Sequence, residues 1–341
     1  MRFAFTPESL AIRDSVRALL SRECTAAHVR QAWSNADGRV PGLWAKLAAL
    51  GVPGILAPEE RGGLGLTELD LVLVLEESGR FAVPEPIVET AAVAVPLFRD
   101  VEARELLQSV TSGAKVVAMG LAEAPFVVGA DTADIVLMEQ AGEVHALERS
   151  AIRLEPHPSI DGSRRLFQVK WQSSRNTCLV YAERGARVLR EARDRGAVAV
   201  AAQLIGLARA MLATTVDYVK ARHQFGKPVG SFQAVKHHLA DALIAVEMAA
   251  PVVYRAAHSL ARGHAQASTH ASMAKAMASD AAELVARQAL QCHGAIGYAF
   301  ENDLHLWMKR AWALSASWGD ATSHRARVSR GLFEGSHAGG M

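Results

Sequence analysis

Two segments of this sequence combine residue types that can grip a flat, phosphorylated ligand. In Ala221-Arg222-His223-Gln224-Phe225-Gly226-Lys227-Pro228, an arginine and a glutamine stand where one long helical pattern ends and the next begins, at Gly230-Ser231-Phe232-Gln233. Guanidinium and amide groups at such a junction can meet phosphate and ribose oxygens, and a phenylalanine can back a planar ring. In Gln291-Cys292-His293-Gly294-Ala295-Ile296-Gly297-Tyr298, glycines directly after a helix let the backbone approach a pyrophosphate or an adenine. Each pattern alone also fits a helix closed by glycine. Both in one chain make a stronger signal than either.

Other chemistries find less support. His237-His238 and the remaining histidines, 13 in all, match no ligand spacing, so no metal is expected, and His270 and His293 read as helix-surface residues. No Gly-x-Ser-x-Gly elbow for a hydrolase occurs between a strand and a helix. A formal charge of +2 without a run of like charges argues against nucleic acid or an anionic membrane as partner. The arginines between Arg184 and Arg195 read as a solvated face or turn. The three cysteines, Cys24, Cys178 and Cys292, are too far apart for a disulfide framework, which suits a reducing cytoplasm. The N-terminus shows no apolar signal region, and no stretch approaches 18 uncharged apolar residues. A soluble, unprocessed chain is expected.

These segments need elements to hold them. Half of the 341 residues are apolar, enough for two or three packed subdomains. Thr6-Pro7-Glu8 reads as an N-cap, a first-turn proline and an acid at the positive helix end, with Ile12, Val16, Leu19 and Leu20 at helical spacing. Helical pattern continues over Leu43 to Leu50 and again after Gly62-Gly63-Leu64-Gly65. From Lys115 to about Arg190, β-prone runs such as Val116 to Met119, Asp134 to Met138 and Leu166 to Val169 replace it. Helical stripes return from Ala197: Leu204 to Val219, Phe232-Val235-Leu239-Leu243-Val246, Ser268 to Leu290 and Leu304 to Ser317. The expected fold is α+β, with helices over 1–112, a small β domain over 113–192 and a four-helix bundle over 193–335, and Ser336 to Met341 frayed.

On this organisation and these motifs the whole chain resembles the acyl-CoA dehydrogenase family. Gly51-Val52-Pro53-Gly54-Ile55, Pro58 to Gly65 and Glu76-Glu77-Ser78-Gly79-Arg80 are similar to its N-terminal helical domain, and Asp161-Gly162-Ser163-Arg164 to the stretch closing its β domain. The Arg222 and Gln291 segments look like its two FAD motifs. The resemblance implies that Arg222, Gln224, Phe225, Gln233, Gln291, Gly294 and Ala295 hold the adenosine diphosphate part of a neighbouring subunit's FAD. Ala295 departs from a common second glycine by one methyl group.

The same resemblance exposes what is missing. The family removes the α-proton of an acyl-CoA with a carboxylate while hydride leaves the β-carbon for the flavin, and the base must lie within hydrogen-bond reach. Its two usual positions fall on Trp318 and Gly196, neither of which accepts a proton. Asp320 and Asp194 lie two residues away, a large displacement for such chemistry. Asp320 also fits as the N-cap of a helix from Ala321. Where relatives carry hydroxyls and glycines against the flavin ring, this chain has Leu121-Ala122-Glu123-Ala124-Pro125-Phe126. The pattern resembles the short subunits of α2β2 acyl-CoA dehydrogenases of steroid side-chain breakdown, which Gly79-Arg80-Phe81-Ala82-Val83-Pro84-Glu85-Pro86 also fits. It implies a second family subunit as partner, an acyl-CoA substrate and an electron-transfer flavoprotein. The alternatives are a catalytically silent structural subunit and a homotetramer using Asp320.

Overall fold

The computed structural model describes residues 4–333, so the expected fraying of Ser336 to Met341 lies outside the described residues. The chain forms two compact units, Met1–Val74 with Pro84–Gly196 and Leu75–Val83 with Ala197–Met341.

The first unit opens with helices α1 (Pro7–Glu23), α2 (Ala26–Ser34) and α3 (Leu43–Ala49), and takes in the first half of α4 (Glu68–Arg80). The Thr6 hydroxyl accepts the Ser9 amide at 3.1 Å, the expected cap. A π-helical stretch, Val88–Ala94, runs into α5 (Val95–Asp100), and α6 (Arg104–Thr111) follows. Strands β1 (Val117–Gly120), β2 (Val127–Val128), β3 (Ile135–Gln140), β4 (Glu143–Glu148), β5 (Arg153–His157), β6 (Leu166–Lys170) and β7 (Cys178–Val180) make two small sheets. Their orders are β1-β3-β4-β7, with only the first pair parallel, and β2-β6-β5. Ala118, Val136 and Leu147 from one sheet and Val127 and Phe167 from the other bury each other, the apolar alternation of half-covered strands.

Helix α7 (Ala182–Ala221) begins fifteen residues before the expected Ala197, and Arg184 to Arg195 lie within it rather than in a turn. The reason is tertiary: Arg193 donates to both Glu123 oxygens at 2.7 Å and to Glu139 at 2.6 Å, and Arg195 donates to Glu68 at 3.0 Å. Ion pairs to β3, to the segment after β1 and to α4 thus stabilise helical turns whose short apolar stripe, Val188, Leu189 and Ala192, is buried as well. By length and composition α7 could cross a membrane, yet 78% of its most apolar stretch is buried in the fold.

In the second unit α7 is joined by the hairpin β8 (His223–Gln224) and β9 (Lys227–Pro228), then by α8 (Gln233–Ala261), α9 (Ala267–His293), α10 (Leu304–Ala316) and α11 (Ala321–Phe333). Alanines dominate the α8 and α9 faces: Ala249, Ala250, Ala256 and Ala257 lie against a seam that includes Ala271, Ala274, Ala278, Ala282 and Ala286, all at most 1% exposed. Small side chains let the helices approach closely. A side chain on Gly206 would meet the Glu76 carbonyl at 1.9 Å, and one on Gly79 the Gln203 carbonyl at 2.0 Å, so α4 and α7 touch backbone to backbone. Around this seam Glu76 accepts from Tyr254 and Arg209, each at 2.5 Å. The Arg80–Val83 turn is held by α10, through Trp307 to the Arg80 carbonyl and Arg310 to the Val83 carbonyl. One expectation fails on α8: Leu243, placed on its apolar stripe, is 48% exposed, as are neighbouring Ile244 and Met248 at 60% and 64%. Val246 of the same stripe is buried, and beside it Ala242 rather than Leu243 turns inward.

Candidate functional site

The first motif closes α7. The Arg222 amide donates to the Tyr218 carbonyl at 2.9 Å, and the chain then turns through β8 and β9, paired His223 to Pro228 and Gln224 to Lys227. The two residues between them, Phe225 and Gly226, have φ of 53° and 79°. Two consecutive positive φ values make the tight turn whose twist suits a hairpin. Glycine adopts that backbone freely, but an aromatic residue is strained in it. The strained Phe225 is also 90% exposed, its ring perpendicular to that of Phe232 with centroids 6.1 Å apart. Arg222, Gln224 and Gln233, the first residue of α8, are likewise exposed. Guanidinium, two amides and an aromatic face therefore stand together, turned to solvent.

The second motif closes α9. Gly294 takes φ 65° and ψ −146°, a region that essentially only glycine enters, and the space a side chain would occupy there is open. Gln291, Gly294, Ala295, Ile296 and Tyr298 are exposed, whereas His293 is buried at 5%. The expectation that His293 lies on the helix surface is thus corrected. Its ring stacks on that of Tyr218, centroids 4.3 Å apart, and its Nδ1 donates to the Ala289 carbonyl at 2.9 Å. Burial holds the imidazole below its usual pKa. The Tyr218 hydroxyl donates to the His293 carbonyl at 3.4 Å. Two motifs some seventy residues apart in sequence are hence tied at one end of the bundle. Open backbone at Gly294 beside exposed donors fits a bound anionic dinucleotide.

The positions that could hold a base lie elsewhere. Trp318 and Gly319 form a turn between α10 and α11 with φ of 57° and 92°. Beneath it, fully buried Lys275 of α9 donates to the Ser315 carbonyl at 2.9 Å, the Gly319 carbonyl at 2.8 Å and the Ser279 hydroxyl at 3.2 Å. Its three N–H groups meet three acceptors. Burial pushes its pKa down to about 7, against the pull of Asp320 and Glu283. His324 donates to the Trp318 carbonyl at 2.8 Å. Asp320 accepts the Ser323 amide at 2.7 Å as the N-cap of α11. That bond holds its carboxyl below the usual value, the wrong direction for a base near neutral pH. Gly196 lies within α7, and Asp194 beside it is buried at 3%. At 1.5 Å per residue, Lys275 and His293 stand roughly 27 Å apart along α9, so the turn and the paired motifs occupy different levels of the bundle.

In the β strands' unit, the Leu121 to Phe126 segment is pinned by Arg193: Glu123 binds its guanidinium in a fork, and Glu139 accepts both Arg193 and the Ala122 amide. Such bidentate, charge-assisted pairs fix orientation as well as distance. Sequence reading missed Tyr218, Lys275 and Arg193. Only the buried setting of Lys275 amid alanines and serines left a trace, since a lysine there breaks an otherwise small-residue face.

Residues 6–100 match the family described as acyl-CoA dehydrogenase, N-terminal domain, and residues 183–333 match acyl-CoA dehydrogenase, C-terminal domain. The chain is 33% identical over 307 residues to the acyl-CoA dehydrogenase IpdE2 of Mycobacterium tuberculosis, spanning 89% of this chain and 91% of that one. Among solved structures, butyryl-CoA dehydrogenase from Megasphaera elsdenii matches with a TM-score of 0.88 at 22% identity, over 97% of this chain and 100% of that chain. A chain of the ChsE4-ChsE5 complex from Mycobacterium tuberculosis matches with a TM-score of 0.86 at 22% identity, over 98% and 99%. At that identity the last two likenesses speak for the fold.

Proposed function

This chain belongs to the acyl-CoA dehydrogenase family, and on that premise we propose that it is one subunit of an FAD-dependent acyl-CoA dehydrogenase, supplying the adenosine side of an FAD site that a second family subunit completes. The observation that carries this reading is the outward-facing pair of motifs at one end of the bundle, with Phe225 strained and 90% exposed. A strained, exposed aromatic is costly unless something binds against it.

Arg222, Gln224 and Gln233 would meet phosphate and ribose oxygens of the cofactor, and Phe225 would back its flat ring. Gln291 and the backbone of Gly294 and Ala295 would hold the same adenosine diphosphate part. When bound, FAD supplies the flavin ring that takes hydride from the acyl β-carbon. The partner chain supplies the base, because Trp318 and Gly196 accept no proton and the Asp320 carboxyl is engaged as a cap. The pinned Leu121 to Phe126 segment, without hydroxyls or glycines, favours the same division. The apolar trio Leu243, Ile244 and Met248 gives such a partner a surface to cover. The same reading keeps three domains, 1–112, 113–192 and 193–335, in a cytoplasmic α2β2 assembly that passes electrons to an electron-transfer flavoprotein. A steroid side-chain acyl-CoA, the substrate class of the short subunits that the sequence resembles, is the first to try.

The test is flavin content by visible absorbance, for the chain purified alone and co-expressed with a second short family subunit. A colourless single chain and a yellow pair with about one FAD per two chains are expected. One FAD per protomer in the single chain, with acyl-CoA oxidation, would overturn the reading.

A further inference from the structure

The sequence spacing of the histidines hides a ligand set that strand pairing assembles. Glu143 and His145 stand two residues apart on β4, and Cys178 on β7 is the register partner of His145. Residues two apart on a strand share a face, and a directly paired residue lies beside them. A carboxylate oxygen, the His145 ring nitrogen and the Cys178 sulfur all lie within 4.8 Å of one another.

The state of the imidazole points to a ligand. The His145 side chain is 2% exposed, and its Nε2 has no hydrogen-bond partner while facing a Glu143 oxygen at 3.3 Å. Its other nitrogen, Nδ1, meets the Thr177 hydroxyl at 3.1 Å. The Thr177 hydroxyl also meets the Ser174 carbonyl at 3.0 Å, and one arrangement of this network gives its single proton to that carbonyl. In that arrangement Nδ1 is the donor, which leaves the Nε2 lone pair directed at a carboxylate. Two acceptors at that distance repel unless a cation lies between them. A ring nitrogen oriented by a hydroxyl on its far side is the usual arrangement of a metal-binding histidine. Trp171, 4.9 Å from the imidazole, walls the site with an apolar face. Burial and the Glu143 charge hold the Cys178 thiol above its usual pKa, and a cation would relieve both.

We infer that Glu143, His145 and Cys178 form a binding site for a divalent transition-metal ion of the zinc class, separate from the flavin motifs. The mixed oxygen, nitrogen and sulfur donor set suits Zn2+ and its spectroscopic substitute Co2+, with water as fourth ligand. Tetrahedral ligands lie about 3.5 Å apart given ordinary metal–ligand distances, so Glu143 and Cys178, neither fully buried, close by about 1 Å through side-chain rotation. Binding exchanges the thiol proton for the metal: Cys178 loses H+ to solvent as its sulfur takes up the cation. A His145 that carries a proton on Nε2 and donates it to Glu143 is the competing arrangement and binds no metal.

The test is a Co2+ titration of the full chelator-treated chain, alone or with its partner as isolated, under reducing conditions. The Zn2+-loaded sample serves as blank and removes any flavin absorbance. One equivalent of Co2+ with a near-ultraviolet thiolate-to-cobalt band is expected, absent in Cys178→Ser and bound about ten-fold or more weakly in Glu143→Gln. Both substitutions preserve volume, and far-ultraviolet circular dichroism confirms that each variant is folded. No band in the unaltered chain, or a band that survives in folded Cys178→Ser and so belongs to Cys24 or Cys292, overturns the inference.

Discussion

The Tyr218 and His293 rings lie face to face, 14° from parallel, Tyr218 one helical turn before Arg222 and His293 between Gln291 and Gly294, in the two motifs we assign to FAD. Neither side chain needs to touch the cofactor to matter, because each fixes the backbone from which the contacting residues project. Tyr218→Ala or His293→Ala should therefore lower the flavin content of the co-expressed pair several-fold. Tyr218→Phe, which keeps the stack and loses only a 3.4 Å hydrogen bond, should retain it. Equal loss in Tyr218→Phe and Tyr218→Ala would show that the hydroxyl, not the stack, is what counts.

Lys275 predicts a pH dependence. Its pKa falls from an ordinary 10.5 to about 7 on folding. Between those values the unfolded chain holds a proton that the folded chain has released, so stability rises with pH across that window, by at most about 1.4 kcal/mol per pH unit. Below pH 7 the lysine is charged in both states and the whole desolvation cost stands. Urea midpoints at pH 7 and pH 9 should move upward in the unaltered chain relative to Lys275→Met. Parallel shifts in the two proteins would remove Lys275 as the cause.

Asp320 separates cap from base. Asp320→Ala should cost about 1 kcal/mol of stability by freeing the Ser323 amide. The kcat of the flavin-loaded pair should stay within about two-fold. A fall of a hundred-fold or more at unchanged flavin content, the range of a lost general base, would restore Asp320 to the chemistry.

The α4 and α7 backbones meet at Gly79 and Gly206. Gly206→Ala places a methyl 1.9 Å from the Glu76 carbonyl and should cost about 3 kcal/mol or more, enough to lower soluble yield sharply. Gly226→Ala, where the added methyl meets open space and only the positive φ resists, should cost about 1 kcal/mol. Thermal unfolding of the two variants side by side checks the contrast, and equal losses would refute it.

What sequence could reveal here followed from local chemistry. Thr6 and Pro7 announce α1 because a cap and a first-turn proline act within one turn, and Asp320 announces α11 for the same reason. The helix ends and turns that carry the two motifs we assign to FAD were legible because turn formers and donors lie contiguous in sequence. Lys275 was not, since its three acceptors come from α9, α10 and the turn beyond, up to 44 residues away. The early start of α7 was hidden likewise, because Arg193 depends on Glu123 and Glu139, 70 and 54 residues back. His293 passed for a surface residue because nothing beside it in sequence discloses the Tyr218 ring that covers it.

The left-handed backbone at Trp318 decides what an engineer could install there. A new side chain must accept φ of 57° and share the turn with Gly319. Among carboxylates, aspartate tolerates that conformation better than glutamate, since its short polar group can bond locally. Lys275 would then act as a built-in counterion, held by the Gly319 carbonyl of the same turn and the Ser315 carbonyl of α10. Converting this chain into a self-sufficient catalyst is consequently a problem of reach rather than of folding. The shorter acid fits the bend, and the longer one is needed to span the gap to a substrate.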